Sequence, residues 1–301
     1  MAGFEHQPVL LADVLGFLRG CRRVLDGTAG GGGHTRALVD TGAAVLALDK
    51  DPIAVAAASA ALGDRAAVEQ LDFADAADHP EVRSFAPDGI LLDLGVSSPQ
   101  LDDAERGFTF RPGAVLDMRM SGSGPTAAQW LAHTTEPELA AAFRDFGDEK
   151  RARALARTIV RRRAERPFAT SDDLVNAIRA VLGPTSGPGD FARLFQAVRI
   201  AVNDELERLE RALPALRDLL APDGVFVVIS YHSGEDRLVK HAFREWARAC
   251  VCPPELPICT CRGRPLGQVL TKHPIEAADP ETAGNPRARS ARLRAFRKAE
   301  R

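Results

Sequence analysis

Residues 22–34 read Arg22-Arg23-Val24-Leu25-Asp26-Gly27-Thr28-Ala29-Gly30-Gly31-Gly32-Gly33-His34, and this stretch decides the fold. A short apolar run ends in Asp26 and then breaks into five glycines between positions 27 and 33. Glycine lets a backbone turn sharply and approach a ligand with no Cβ in the way. The acid before the turn sets the charge of that ligand. A pyrophosphate over the loop would face the Asp26 carboxylate, whereas an amino group and a sulfonium are attracted to it. The loop therefore points to a nucleoside cofactor, and its charge to S-adenosylmethionine rather than a dinucleotide.

Working outward, apolar runs alternate with helical patterns. A strand at 24–26 is followed by the loop and a helix over about 34–40, then a strand at 43–49 and an alanine-rich helix at 52–62 with Pro52 in its first turn. Further strands are expected at 68–73, 89–94 and 224–230, the last preceded by a long helical stretch over 191–220. Apolar strands without alternation, interleaved with helices, predict a parallel sheet covered on both faces. Between about 102 and 190 the strand signal gives way to helices at 137–146, 149–165 and 171–181. The expected division is thus 1–101 plus 191–301 for the sheet domain and 102–190 for an inserted all-α domain.

With 301 residues, 45% hydrophobic, 27% charged and a net charge of −2, the chain has an ordinary globular composition. Its bulk charge does not mark a nucleic-acid binder, but the charge is clustered. Residues 150–166 carry eight Lys/Arg against one acid, and 285–301 carry seven against one, patterns that fit phosphate contacts. The apolar stretch at 8–18 is too short and too polar for a signal peptide, and no run reaches the roughly 20 apolar residues that span a bilayer. No membrane association and a cytoplasmic location are expected. Cys250, Cys252, Cys259 and Cys261 form two Cys-x-Cys pairs. Disulfides are disfavoured in such a compartment, and a four-thiolate zinc knuckle is the competing reading. The tight spacing and Pro253, Pro254 and Pro257 favour a stiffened loop without metal.

Candidate site residues fall at the strand ends. Asp49 lies 23 positions after Asp26, the spacing at which an acid accepts hydrogen bonds from ribose hydroxyls. Asp72 and Phe73 close the third strand, where an adenine ring would rest. Asp93 interrupts an apolar strand, a costly place for a carboxylate without a role. A polar turn, Ser97-Ser98-Pro99-Gln100, follows. Ser97 and Pro99 partly match the Asp/Asn/Ser-Pro-Pro-aromatic turn with which amino-group methyltransferases hold a target amine; Phe108 and Phe110 are the nearest aromatics. In 230–237, Ser-Tyr-His-Ser-Gly-Glu-Asp-Arg, Ser233 and Asp236 have capping-box spacing. His232 is a base, a base-orienting group or a structural histidine, the last being preferred because a methylated amine can lose its proton to water.

Assembled, these residues resemble the bacterial ribosomal RNA small subunit methyltransferase H (MraW) family. The matching blocks include His6-Gln-Pro-Val-Leu-Leu, the loop from Asp26 to His34, Asp49-Lys-Asp-Pro and Arg106-Gly-Phe-Thr-Phe. Leu116-Asp-Met-Arg-Met, Phe195-Gln-Ala-Val-Arg-Ile-Ala-Val-Asn, 230–240 and Asn285-Pro-Arg-Ala-Arg continue them in order. The resemblance implies a Rossmann-like class I methyltransferase sheet with an inserted helical substrate-recognition domain. It implies S-adenosylmethionine as cofactor and the N4 amine of a cytidine in 16S rRNA of the small ribosomal subunit as target, and it leaves room for a homodimer. By position, Gly32, Gly33 and His34 would contact the methionine part, Asp49 the ribose and Phe73 the adenine. Asp93 and Gln100 would complete the pocket; the residues themselves, apart from the resemblance, assign Asp26 to the cofactor and Ser97, Pro99, His232 and Asp236 to positioning the substrate. Tyr231 and Gly234 stand where the family usually has Phe and Leu.

Overall fold

A computed structural model describes residues 8–253, 258 and 260–300. The chain opens with α1 (Leu11–Phe17), β1 (Arg23–Asp26), α2 (Gly33–Asp40), β2 (Ala44–Asp49), α3 (Pro52–Leu62), β3 (Ala67–Gln70), α4 (Pro80–Phe85) and β4 (Gly89–Asp93). The helices α5 (Ser98–Asp102), α6 (Ala127–His133), α7 (Glu136–Asp145), α8 (Ala152–Glu165), α9 (Ser171–Leu182) and α10 (Pro188–Asn203) come next. It continues through α11 (Glu205–Leu219), β5 (Val225–Ser230), α12 (Ser233–Trp246), β6 (Gly267–Val269), β7 (Ile275–Glu276), α13 (Asp279–Gly284) and β8 (Arg292–Lys298). Two compact units result: Met1–Gly95 with Leu206–Arg301, and Val96–Glu205.

The first unit is a sheet of order β3-β2-β1-β4-β5-β8-β6, with β7 beside β8. β1 lies parallel between β2 and β4, and β5 extends the parallel set from β4. All six residues of β5 are buried, so its neighbouring side chains serve opposite faces. Phe226 and Val228 pack with Leu213, Leu216, Phe243 and Trp246, while Val225, Val227 and Ile229 pack with Val14, Leu18 and Leu38. The Rossmann-like α/β arrangement expected from the sequence is therefore present, with helices on both faces.

Three details differ from expectation. β3 ends at Gln70, so Asp72 and Phe73 occupy the turn that follows it. The helical stretch over 191–220 is two helices, because Asp204 takes a left-handed conformation (φ 50°) between α10 and α11. The basic segment near 292–298 is a strand, running antiparallel to β5 with Ser230 opposite Arg292 and Val225 opposite Arg297. Leu293, Ala295 and Phe296 of β8 are buried, and Arg294 is buried with them.

The second unit, Val96–Glu205, is built of helices. Phe191, Leu194, Phe195 and Val198 of α10 bury into the same cluster as Leu139, Phe143, Leu155 and Ile178, which carries the unit on to Glu205. At the other end Val96 and Leu101 pack against that cluster. Thr126 with Gln129 and Thr135 with Glu138 cap α6 and α7 reciprocally, ending the orphan N–H groups of those helices.

Candidate active site

The glycine loop is pinned to two strands at once. Gly27 donates its N–H to Leu91 O of β4 (2.9 Å), and Ala29 donates to Leu48 O of β2 (2.8 Å). Gly30 donates to Asp49 Oδ2 (2.9 Å), and the Thr28 hydroxyl accepts the N–H of Asp93 (2.6 Å). A Cβ on Gly27 would stand 2.5 Å from Leu92 Cδ2, so only glycine lets the loop lie this close to β4. On Gly30 and Gly31 a Cβ would meet nothing within 4 Å, which leaves that part of the loop open to a ligand.

Asp26 is 1% exposed, and both of its oxygens are used by the loop itself. Oδ1 accepts from Thr28 N–H (3.1 Å) and Oδ2 from the Thr35 hydroxyl (2.6 Å). Burial pushes its carboxyl above the usual range. Its place is beneath the loop, shaping it. Asp49 accepts from Gly30 N–H on one oxygen and Asp51 N–H on the other, 2.9 Å each. Burial raises its pKa to about 6. Each carboxylate oxygen has two lone pairs, so this acid keeps acceptor capacity towards the loop opening.

Asp93, the acid at the end of β4, gathers contacts that the sequence did not announce. Its Oδ1 accepts the Tyr231 hydroxyl at 2.7 Å, and its Oδ2 lies 3.5 Å from His34 Nδ1. The other ring nitrogen of His34 is 3.0 Å from Val9 O, so Nε2 carries a hydrogen and donates it. Nδ1 and Asp93 Oδ2 then attract one another only when a proton lies on one of them. Burial lifts the Asp93 carboxyl above its ordinary range, the direction that favours such sharing. His34, expected against the cofactor, has a partner beside each ring nitrogen, Val9 O and Asp93 Oδ2. Gly95 (φ +96°) makes the contact with Tyr231 feasible, since a Cβ there would sit 3.2 Å from the tyrosine ring.

Phe73 is half-buried next to Gly27, its Cβ 3.1 Å from where a Gly27 Cβ would be. Gly32 (φ +79°) caps α2 and Gly33 opens it, with Pro8 packed against Gly33. In the helical unit, Gln100 is buried and its Oε1 accepts the N–H of Ser97 (2.9 Å), making it a cap on its own turn. The side chain of Pro99 lies outside the described residues.

At the end of β5 the reciprocal cap is His232 with Glu235, one residue earlier than the Ser233–Asp236 spacing suggested. His232 Nδ1 accepts Glu235 N–H at 3.4 Å, and Glu235 Oε2 accepts from Tyr231 N–H at 2.8 Å and His232 N–H at 3.3 Å. His232 thus takes part in the cap of α12 through Nδ1. Asp236, expected to position substrate, turns instead to β8. Its Oδ1 accepts from Arg294 Nε (2.6 Å) and its Oδ2 from Arg294 Nη2 (3.1 Å), with Arg292 Nη1 3.8 Å away. A buried carboxylate needs a partner, and the nearest strand supplies it. The tail arginines 292 and 294 are therefore engaged in the fold.

The donor set at this strand edge fits S-adenosylmethionine. Carboxylates that only accept hydrogen bonds suit a ribose diol and a cationic amine or sulfonium, and they repel a pyrophosphate. Thr28, Thr35, Tyr231 and Glu235 were the functional neighbours that sequence reasoning missed. Only Tyr231 carried a signal, as a departure from the residue usual in the resembling family.

Comparison with known proteins agrees with this geometry. A ribosomal RNA small subunit methyltransferase H of Gemmatimonas aurantiaca is 57% identical, the match covering 99% of this chain and 96% of that one. Proteins of the same name from Heliobacterium modesticaldum and Anaeromyxobacter dehalogenans are 47% and 46% identical, each match covering at least 98% of both chains. The family model of the MraW methylases matches residues 3–299, so it takes in the glycine loop, all three strand-end acids and the helical unit, and the chain belongs to the MraW methylase family.

Proposed function

We propose that this protein transfers the methyl group of S-adenosylmethionine to the exocyclic N4 amine of one cytidine in the 16S RNA of the small ribosomal subunit. The observation that carries the reading is the end-to-end likeness to relatives named for methylation of small-subunit ribosomal RNA. S-adenosylmethionine, when bound, supplies a methyl group on a positively charged sulfur. Asp49 would accept from its ribose hydroxyls and Phe73 would border its adenine, while Asp26 keeps the loop in shape beneath. Asp93, steadied by Tyr231 and His34, offers a carboxylate whose Oδ2 can hold a proton or accept one hydrogen bond. A cytosine amine is a weak nucleophile because its lone pair is delocalised into the ring. Acceptors that bind its N–H groups localise that pair on nitrogen, and Ser97 and the carbonyls of its turn are suited to this. Rate acceleration comes mainly from holding the amine in line with the methyl, with the base turned out of its stack.

The helical unit serves as the substrate-recognition part. Arg153, Arg157 and Arg161 of α8 are exposed and spaced four residues apart, forming a stripe on one side of the helix for RNA phosphates. Among the described residues no helix is long and apolar enough to cross a membrane, and the reading includes a cytoplasmic location. It also admits a homodimer, which sedimentation of the purified chain decides. The test of the activity is to disrupt the gene and digest the ribosomal RNA to nucleosides. Loss of N4-methylated cytidine at one position, restored by the purified protein with S-adenosylmethionine and small subunits, is expected. Unchanged methylated cytidine after disruption overturns the reading.

A further inference from the structure

The sequence favoured a metal-free loop for the cysteine segment after α12, and the fold adds what spacing alone lacked. The sulfurs of Cys250, Cys252 and Cys261 all lie within 4.8 Å of one another. Cys250 and Cys261 are 3.8 Å apart, too far for a disulfide between them. Zinc–thiolate bonds of about 2.3 Å in a tetrahedron put neighbouring sulfurs about 3.8 Å apart. The observed separation, which is also that of a thiol–thiol hydrogen bond, matches two ligands of one ion.

Backbone amides serve these sulfurs in a reciprocal way. Val251, which follows Cys250, donates its N–H to Cys261 Sγ at 3.3 Å. The N–H of Thr260, which precedes Cys261, bonds Cys252. Amide donors aimed at sulfur favour thiolate, the form that ligates metal. The segment is also tied down beside them. Arg262 reaches back to Glu245 Oε1 (2.8 Å) and to the carbonyl of Arg248 (3.0 Å), fixing the far side of the loop to the end of α12.

We propose that Cys250, Cys252 and Cys261 bind a structural zinc ion that staples the loop between α12 and β6. Each thiol gives its proton to water as its sulfur ligates. Cys259, a fourth thiol in the sequence, lies outside the described residues and is no part of the proposal. Soft sulfur donors select zinc over magnesium or calcium, and three thiolates fill three positions of a tetrahedral zinc, with water completing the fourth.

The test uses the full chain, purified under reducing conditions and dialysed against zinc, with metal measured by elemental mass spectrometry. About one zinc per chain is expected, falling at least tenfold in Cys250→Ser and Cys261→Ser. Since such variants can lose the loop for other reasons, the wild-type protein is also loaded with cobalt. Intense visible bands of tetrahedral cobalt thiolate are expected, bleached by added zinc. Limited proteolysis should cut the loop only after chelation. Metal well below one equivalent after reconstitution, iron in its place, full retention by the serine variants, or a six-coordinate cobalt spectrum each overturns the proposal.

Discussion

Replacing Asp236 by alanine separates a structural carboxylate from a catalytic one. The acid receives two hydrogen bonds from Arg294, and the two side chains are 12% and 8% exposed. Removing it leaves a guanidinium buried in the sheet without its counter-charge, which costs about 3–5 kcal/mol. With a urea slope of about 3 kcal/mol/M, the unfolding midpoint falls by roughly 1–1.7 M. Trp246 is packed against the same sheet, so in a Trp130→Phe background its fluorescence follows this unit alone. Replacing both partners, Asp236→Leu with Arg294→Met, removes the orphaned charge and should recover most of the loss. Methyl transfer per folded molecule should stay within about threefold of the parent in both variants, an activation-barrier change below 1 kcal/mol. The reasoning is refuted if Asp236→Ala unfolds within about 0.5 M of the parent yet loses transfer a hundredfold, or if the double replacement is no more stable than the single one.

Asp49 gives a pH signature. Its folded-state pKa of about 6 means the carboxylate is charged above that pH and protonated below it. S-adenosylmethionine affinity measured by calorimetry should fall as pH drops through 6, and Asp49→Asn should flatten this profile at an affinity about 10–100-fold lower. Tyr231→Phe removes the hydroxyl that favours the charged form of Asp93. The acid limb of the rate profile should move to higher pH, with turnover at higher pH preserved; a fall at all pH values contradicts this. Reversing charge at Arg153, Arg157 and Arg161 together should weaken RNA binding and reduce the slope of log K against log salt by about 2–3. Cofactor affinity should not change, as filter binding and calorimetry would show.

The glycine loop, Asp26 and Asp49 were legible because a buried parallel strand, a tight turn and a strand-end acid follow one another at fixed spacing. β8 was not, because its four basic residues hide a strand whose place depends on an open edge of β5 and on Asp236, neither of which is local in sequence. The cap at His232 was missed by one position, since capping rules assign that place to a serine or threonine and here an imidazole nitrogen fills it. The extent of the helical unit was not legible for a similar reason. The apolar face of α10 reads the same in either unit, and only three-dimensional packing says which cluster receives it.

The antiparallel strand also sets a clock for synthesis. β5 ends at Ser230 and its partner β8 begins at Arg292, 62 residues later by difference. At about 5–20 residues per second, this takes on the order of 3–12 s to translate. Throughout that interval the most buried strand of the sheet presents an unpaired edge, the kind of surface that recruits foreign strands. Elongation speed through 231–291, more than final stability, should therefore govern how much of this protein is recovered soluble. Slowing translation there with synonymous codons lengthens the exposure in proportion.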